Sequence, residues 1–472
     1  MTDFSFTRRY CFSEWGPEKI RQAFDFADDY KKFLSGAKTE RLVVKFIAQE
    51  AKKQGFREIG FRPKKFGKHI FLINRDKSIV LAIKGEKRLS EGVRILAAHI
   101  DSPRLDLKAT PLYGEEKIAF FKTHYYGGIK PYQWPALPLA IYGTVVKENG
   151  QRVEIAVGDG PEDSVFILTD LLPHLAEKQL EKKLAEAIEG ENLNLLVGAW
   201  GEKKDKSDKD KSDKDKSDES VKEKVLKILN ERYGLIEEDI FSADLEIVPA
   251  GGARDGGWDK SLVVGYGQDD RVCAYAAWRA FLAAKNPPYT TVLMLLDREE
   301  IGSEGVTGAT SSFIKDFLAS LLSAENPSAS ENDLRDMLAV SKAISADVTA
   351  ALDPNFKDVS DPITAPRLGA GLAVEKHTGG KGKALVSEAS AEYTAWIRKI
   401  LNKAKVVWQP AAGIGKVDLR GGGTVGMFFA RHNIEVIDAG VPLLNMHAPF
   451  EVAHKGDIYS AFEGYKAFLE GE

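Results

Sequence analysis

The chain has 472 residues, 43% of them hydrophobic, which is enough material for two domains with a buried core. Its 66 lysine and arginine residues stand against 70 aspartate and glutamate residues, so the net charge is -4. This balance excludes the global excess of positive charge that is typical of nucleic-acid-binding proteins. We therefore expect a small-molecule or peptide partner.

The beginning of the chain and its cysteines bear on the compartment. Residues 1–9 lack the apolar segment of a signal peptide, and no run approaches the ~18 uninterrupted apolar residues of a membrane-spanning helix. Cys11 and Cys273 are the only cysteines, too few for a disulfide framework or a thiolate metal site. The sequence predicts a cytoplasmic protein without membrane contact, in which histidines and carboxylates hold any metal.

Helix-like and strand-like segments alternate in the first hundred residues and again after residue 260. Apolar residues at helical spacing indicate the helices, and short apolar runs indicate the strands. The predicted helices span 18–35, 40–54 and 272–284, and the predicted strands span 79–83, 93–98 and 291–296. This alternation is typical of an α/β sandwich.

The sequence has a different character between these two halves. Short strands are predicted over 118–123, 140–146 and 152–157, separated by Gly, Pro and Asn turns. We therefore expect an inserted β-rich domain over 102–250. Residues 1–101 and 251–472 then form one discontinuous domain.

A charged repeat lies inside this insertion. The segment Lys-Ser-Asp-Lys-Asp at 206–210 recurs at 211–215 and begins again at Lys216. Because the repeat has no apolar residue to bury, it predicts a mobile, solvated loop over 203–220. A charged interaction tail is the alternative, although mixed signs weaken its field. An amphipathic helix is predicted next, over 221–233.

In five segments of the chain, an apolar run or a glycine-rich turn is followed by a histidine or an acidic residue. Ligands of open α/β sheets collect beyond the carboxyl ends of strands, so such endings are where a site is assembled. The first segment is the strand at 93–98, which leads directly to His99 and Asp101. The imidazole could bind a metal while the carboxylate fixes its tautomer. A histidine that merely ends a strand is the alternative.

The next two segments carry paired acids. Asp269 and Asp270 follow a glycine-rich turn, where a carboxylate could bridge two cations, although acids are also ordinary at a helix N-terminus. Four apolar residues at 293–296 lead to Glu299 and Glu300. Adjacent glutamates repel each other unless one binds metal and the other handles protons. A solvated acidic turn is the alternative.

The last two segments each supply one further group. Asp347 is a single acid within the small, apolar run 344–352, and lone charges in such surroundings are usually paired or metal-bound. His447 follows the apolar run 434–442 and is the second candidate imidazole.

Together these segments resemble the M18 family of metallo-aminopeptidases, the group of aspartyl aminopeptidase and vacuolar aminopeptidase I. The likeness covers nearly the whole chain and includes Tyr-Gly-Gly at 126–128 and Gly-Gly-Gly-Thr at 421–424. It implies a zinc-exopeptidase-like α/β/α sandwich as the catalytic domain and an inserted β-rich domain that mediates oligomerisation. It also implies two divalent metal ions per subunit, zinc with cobalt or manganese as alternatives.

The resemblance implies a role for each matching residue. The implied metal ligands are His99, Asp269 and Asp347 for one ion, and Asp269, Glu300 and His447 for the other. Asp269 would bridge the two ions. Glu299 would be the general base, and Asp101 would orient His99. The implied reaction is removal of N-terminal amino acids, acidic or neutral and hydrophobic, from peptides by a metal-activated water.

Substrate preference and assembly are expectations of the same kind. The chain has Asp270-Arg271 where the animal aspartyl enzymes have an Asn-Leu pair, and this difference argues against importing strict specificity for acidic residues. Lys376 is the candidate to hold an acidic side chain, and an ordinary solvated lysine is the alternative. The family also implies dimers that assemble into a dodecamer, in which His124 could reach a neighbouring active site.

Two other functions stay open at this point. One is a different hydrolase on the same two-metal scaffold, such as a deacylase, a carboxypeptidase or a glucanase-like peptidase. The other is a non-catalytic shell protein. A shell protein is expected to have damaged ligand positions, whereas every motif position of this chain carries a competent residue.

Overall fold

The computed structural model describes residues 4–61, 63, 65, 67–201, 213–383, 386–419 and 421–472. The α-helices are α1 (Cys11–Glu14), α2 (Pro17–Gly36), α3 (Glu40–Lys53), α4 (Glu177–Leu180), α5 (Leu184–Ala187), α6 (Asp213–Tyr233), α7 (Gln268–Ala283), α8 (Phe313–Glu325), α9 (Glu331–Ala339), α10 (Ala391–Lys403), α11 (Gly426–Ala430) and α12 (Lys455–Leu469).

The strands of the first half of the chain are β1 (Arg57–Glu58), β2 (His69–Asn74), β3 (Ser78–Ile83), β4 (Val93–His99), β5 (Arg104–Glu115), β6 (Ile118–Tyr126), β7 (Leu139–Val146), β8 (Arg152–Val157), β9 (Ile167–Leu168), β10 (Leu195–Gly198) and β11 (Ala243–Pro249). Those of the second half are β12 (Arg254–Gly256), β13 (Leu262–Gly265), β14 (Thr290–Leu296), β15 (Lys342–Ser345), β16 (Thr349–Ala350), β17 (Leu372–Glu375), β18 (Trp408–Ala411), β19 (Glu435–Gly440), β20 (Pro442–Leu444) and β21 (Glu451–His454).

The chain divides into two compact units. The first consists of Met1–Ser102, Ala253–Met446 and Phe450–Glu472, and the second of Pro103–Gly252 and His447–Pro449. The second unit is therefore an insertion in the sequence of the first.

The first unit contains a nine-stranded sheet of order β1-β2-β3-β14-β4-β15-β19-β17-β18. Its central strands β14, β4, β15 and β19 run parallel to one another. Strands β4 and β14 are buried at every position, as expected for parallel strands that are covered on both faces. A second sheet of this unit has the order β12-β13-β21-β20-β16.

Alternate residues of the central strands enter two separate hydrophobic cores. Leu96 and Ala98 of β4 pack on one face with residues from α2, α3, α7, α10 and α12. Ile95 and Ala97 pack on the other face with residues from α8, α9 and α11. Because successive side chains of a strand point to opposite faces of the sheet, both faces are apolar and both are covered by helices. The predicted α/β/α sandwich is confirmed.

The second unit is built on an antiparallel sheet of order β8-β7-β11-β5-β6-β10-β9. Its core includes Leu105, Phe121 and Ile247, with Val221 and Val225 of α6 packed among them. Sequence and structure therefore agree on a β-rich insertion. Among the described residues, no helix is long and apolar enough to cross a lipid bilayer.

The predicted loop over 203–220 is wrong for residues 213–220. Helix α6 begins at Asp213, eight residues before the predicted start at Val221. Once apolar residues such as Val221 anchor a helix, each added residue gains a backbone hydrogen bond without a new nucleation cost, so the helix extends into polar sequence. Residues 203–212 of the predicted loop lie outside the described residues.

Candidate active site

Three neighbouring parallel strands end at the same edge of the nine-stranded sheet. The register pairs Leu296 of β14 with His99 of β4, and Ser345 of β15 with Ala97 of β4. Glu299 follows β14 by three residues and Asp347 follows β15 by two. The three segments therefore bring a histidine and acidic residues to the carboxyl ends of adjacent strands.

His99 is the centre of this group. Its Nε2 atom lies 3.1 Å from Oδ1 of Asp269 and 3.7 Å from Oδ1 of Asp347, and its Nδ1 atom lies 3.3 Å from Oδ1 of Asp101. Burial lowers the pKa of His99, but hydrogen bonds to Asp101, Asp269 and Asp347 raise it well above the usual value. In the absence of a cation, the carboxylates thus favour a charged imidazole, and a metal ion would supply the same positive charge.

Asp269 and Asp270 stand at the start of α7 in a backbone that is not helical. Gly267 precedes them with a φ of +69°, and a Cβ atom there would lie 1.4 Å from Nη2 of Arg271 and 2.8 Å from Oγ of Ser102. Ser102 donates through Oγ to the backbone carbonyl of Asp269 at 2.7 Å. The glycine allows the close approach that holds both acids in place.

The turn after β14 is held by the side chain of Asp101, two residues after the end of β4. The N–H of Glu299 donates to Oδ1 of Asp101 at 3.1 Å, and the N–H of Glu300 donates to Oδ2 of Asp101 at 3.2 Å. Arg298 and Gly302 flank the turn with φ of +72° and +93°. Asp101 therefore fixes two consecutive residues of the turn as well as one side of His99.

Burial, opposed by His99 and reinforced by the carboxylates of Asp347, Asp101 and Asp269, raises the pKa of Glu299 to about 8. A carboxyl group with a pKa near neutrality can both accept and donate a proton at physiological pH. The side chain is only partly buried in the first unit. It can therefore exchange protons with a molecule in the site.

Two groups of possible ligand atoms overlap at His99. Atoms of His99, Asp269 and Glu300 lie within 4.8 Å of one another, and so do atoms of His99, Asp270 and Asp347. Imidazole nitrogen and carboxylate oxygen form a ligand set that suits zinc and selects only weakly among zinc, cobalt and manganese. The donor set of the described residues therefore fits a divalent metal.

The chain is similar to known proteins over nearly its whole length. The family model described as aminopeptidase I zinc metalloprotease (M18) matches residues 33–469. A probable M18 family aminopeptidase 1 of Clostridium acetobutylicum is 45% identical over 468 residues, which are 97% of each chain. The crystal structure of an M18-family aminopeptidase from Thermotoga maritima superposes with a TM-score of 0.92 at 42% identity, covering 99% of this chain and 100% of that one.

The chain belongs to the M18 family. It is a metallo-aminopeptidase, a hydrolase of peptides. A more distant likeness, to the mApe1 dodecamer of S. cerevisiae, has a TM-score of 0.74 at 19% identity and covers 94% of this chain and 96% of that one. At that identity it bears on the fold alone.

The structure places the other M18 residues predicted from the sequence as follows. His447 belongs to the second unit, where its Nδ1 atom lies 3.0 Å from the carbonyl oxygen of Gly128. His124 is an exposed residue of the same unit, with Nδ1 2.8 Å from the carbonyl oxygen of Tyr125. Four of the five predicted ligands, all but His447, thus lie together in the first unit.

Lys376 follows β17 in the first unit of the M18 chain. Its side chain is 45% exposed, and its Nζ atom lies 3.7 Å from Oε1 of Glu388. Lys383 contacts the same carboxylate oxygen at 2.9 Å. Lys376 is therefore a surface lysine with a shared acidic partner, and its role in binding substrate stays a prediction.

Sequence reasoning gave no role to two further carboxyl groups. Glu375 of β17 and Asp438 of β19 are paired across the sheet, and burial raises the pKa of each to about 7. Asp438 accepts a hydrogen bond from Oγ1 of Thr424 at 2.6 Å, which anchors the glycine-rich loop 421–424 to the sheet. The available signal was that Asp438 is an acid within the apolar run 434–442.

Proposed function

We propose that this M18 aminopeptidase uses two divalent cations, and that it removes the N-terminal residue of peptides with Glu299 as general base. The observation that carries the proposal is the convergence of His99, Asp269 and Glu300 within 4.8 Å at the edge where β4 and β14 end. Glu299 is the adjacent acid and belongs to neither ligand group. It is thus available for proton transfer.

The ligand assignment is part of this proposal. His99, Asp269 and Asp347 hold one ion, and Asp269, Glu300 and His447 hold the other. Zinc is the proposed metal, with cobalt and manganese as substitutes. Asp101 holds His99 through Nδ1, which leaves Nε2 directed at Asp269 and Asp347.

Each residue of the chain then has one task. When bound, two cations lower the pKa of a water molecule and polarise the scissile carbonyl. Glu299 takes the proton of the water and returns it to the nitrogen of the leaving amine. The backbone N–H groups of Glu299 and Glu300 donate to Asp101, and these hydrogen bonds fix the position of the base relative to His99.

The cleavage of a single N-terminal residue follows from the proposed metal pair. One of the ions held by Asp269, Asp347 and Glu300 would also bind the nitrogen of the substrate's free α-amino group, which places the first peptide bond in the site. The amide nitrogen of an acetylated peptide has no lone pair available for this contact. We expect the enzyme to require a free N-terminus.

A pair of matched peptides tests the proposal. Purified zinc-loaded enzyme is incubated with a peptide and with its N-acetylated form, and products are identified by mass spectrometry. Stepwise loss of N-terminal residues from the free peptide alone supports the aminopeptidase. Release of acetate, or cleavage at the C-terminus, would instead identify a deacylase or a carboxypeptidase on the same scaffold.

The proposed substrates are peptides whose N-terminal residue is either acidic or neutral and hydrophobic. Lys376 is the proposed contact for an acidic side chain, because a lysine can supply a charge-assisted hydrogen bond to a carboxylate. Its exposure leaves its amino group accessible to a ligand.

Assembly and location complete the proposal. We propose a catalytic domain of residues 1–101 and 251–472 and an oligomerisation domain of residues 102–250, which assembles dimers into a dodecamer in the cytoplasm. In that assembly His124, exposed on the second unit, reaches a neighbouring active site. Size-exclusion chromatography with light scattering, and turnover of His124→Ala, test this. Wild-type rates in an intact oligomer would contradict the role of His124.

A further inference from the structure

The carboxyl group of Asp270 is a buried acid that the proposed mechanism does not use. The residue is 0% exposed, and neither of its oxygens accepts a hydrogen bond from a nitrogen or oxygen donor among the described residues. The thiol of Cys273 is its polar neighbour, and a thiol is a weak donor. Without a strong partner, a buried carboxyl group takes up a proton, and it stays ionised only where a cation binds it.

The position of Asp270 matches this requirement. One of its oxygens lies with ligand atoms of His99 and Asp347, all within 4.8 Å of one another. Asp269 and Glu300 form the other group with His99. Consecutive acids thus belong to different groups, because the backbone at 269 and 270 is not helical and directs the two side chains differently.

The nearest cation along the chain is already engaged elsewhere. Arg271 is fully buried, and its guanidinium donates to the backbone carbonyls of Gly267 at 2.8 Å, Ala37 at 2.5 Å and Tyr266 at 3.1 Å. These bonds stabilise the loop before α7. Asp270 is left facing His99 and Asp347.

We infer that Asp270 is a metal-binding residue, whose carboxylate binds the ion held by His99 and Asp347. The inference rests on the proposed metal centre and adds a ligand to it. Charge supports the addition. Asp347 and a bridging Asp269 shared with a second ion do not fully neutralise a buried dication, and Asp270 supplies further negative charge.

The test measures metal binding instead of turnover. Metal-free wild type and Asp270→Asn are titrated with Zn²⁺ by calorimetry, and with Co²⁺ by visible absorption. Asparagine keeps the shape of the side chain but removes its charge. We expect two binding events in wild type, and in the variant a loss of at least about tenfold in the affinity of one event. If the variant binds both ions with the affinities of wild type, the inference is overturned.

Asp438→Asn is the matched control. Asp438 is also a buried carboxyl group of the first unit, but it is bonded to Thr424 and belongs to neither ligand group. Its variant should bind both ions as wild type does. An equal loss of affinity in both variants would assign the effect to buried charge in general and overturn the role of Asp270.

A structural measurement covers the case in which Asp270→Asn does not fold. In a crystal of zinc-loaded wild type, anomalous scattering locates the ions. An oxygen of Asp270 within about 2.0–2.2 Å of an ion supports the inference, and a separation above roughly 3 Å overturns it. Wild type that binds no zinc and cleaves no free-amine peptide would contradict the proposed function itself. Wild type that does both, with Asp270 uninvolved, would contradict the further inference alone.

Discussion

One carboxylate oxygen of Asp101 accepts a hydrogen bond from the backbone N–H of Glu299 at 3.1 Å and lies 3.3 Å from Nδ1 of His99. A single side chain therefore links a proposed metal ligand on β4 to the proposed base after β14. The other oxygen accepts from the N–H of Glu300 at 3.2 Å. Asp101 is a positioning residue, since it acts through its neighbours.

Asp101→Asn should lower metal affinity by about 10- to 100-fold and lower kcat with it. Asparagine has one acceptor oxygen where aspartate has two, so one of the two backbone N–H groups loses its partner. Zinc titration of the metal-free protein and steady-state kinetics measure the two effects. Asp106→Asn is the control, because Asp106 pairs with Arg104 in the second unit. Unchanged zinc affinity in Asp101→Asn would contradict the positioning role.

Glu299→Gln should reduce kcat by about 10²- to 10⁴-fold while metal content stays at the wild-type value. The amide cannot accept the proton of the water, yet it leaves the ligand residues intact. Elemental analysis and turnover of an aminoacyl arylamide give both quantities on one sample. Glu304→Gln, an exposed acid in the same loop, should have no effect. Rapid turnover by metal-replete Glu299→Gln would exclude Glu299 as the base.

Removal of metal should abolish activity, and zinc should restore both activity and stability. A ligand that binds only the folded state stabilises it by about 2.7 kcal/mol when its free concentration is a hundred times Kd. Thermal unfolding of the metal-free protein, with and without zinc, measures this shift. Circular dichroism first establishes that the metal-free protein is folded. Full activity at far less than two ions per chain would contradict the dinuclear site.

Lys376→Ala should lower kcat/KM for peptides with N-terminal aspartate or glutamate by roughly tenfold or more, and leave peptides with N-terminal leucine nearly unchanged. The reason is the loss of a charge-assisted hydrogen bond to the substrate. Lys383→Ala is a matched control, since Lys383 contacts the same Glu388 oxygen. The same loss in both variants, or a loss that ignores the substrate's charge, would remove Lys376 from the specificity site.

His454 should make the protein less stable in mild acid. Burial lowers its pKa from 6.5 to about 4, with Asp259 opposing the shift. Because the folded pKa lies below the unfolded one, protons favour the unfolded chain, and the contribution of His454 is complete above pH 6.5 and declines towards pH 4. The decline is on the order of 2–3 kcal/mol.

A variant isolates this effect from the other titrating groups. His454 caps α12 by accepting the N–H of Gly456 at 3.0 Å, and its ring packs on Phe12. His454→Asn keeps a capping side chain but does not titrate. Urea unfolding at several pH values should find the variant less stable at pH 7, with the difference shrinking as the pH falls to 5. A constant difference would contradict the assigned pKa.

The strand ends that carry the site could be predicted from the sequence, but the directions of the individual side chains could not. Residues 95–98, directly before His99, and residues 292–296, shortly before Glu299, are all apolar because both strands are buried on both faces, and such runs are visible in the sequence. Asp270 looked like an ordinary acid beside Asp269. Its separate direction comes from the non-helical backbone at the start of α7, which no residue pattern specifies.

The same contrast holds for the helices. The start of α6 was predicted too late, because the charged repeat has no apolar periodicity, whereas helix propagation needs none once Val221 is anchored. The partners of Lys376 and His447 depend on loops that meet only in the folded chain. Patterns of neighbouring residues therefore identified the helices, the strands and the residues at the strand ends, but not the contacts between distant parts of the chain.

The order in which parallel strands β14, β4 and β15 lie side by side has a consequence for biogenesis. Residue 99 is synthesised long before residues 269, 300 and 347, yet the ligand groups need all of them. Contacts between such distant parts of a chain form slowly. A nascent or truncated chain that ends before β15 lacks Asp347 and cannot assemble the group of His99, Asp270 and Asp347. Uptake of a metal ion by that group would therefore report that β15 has paired with β4.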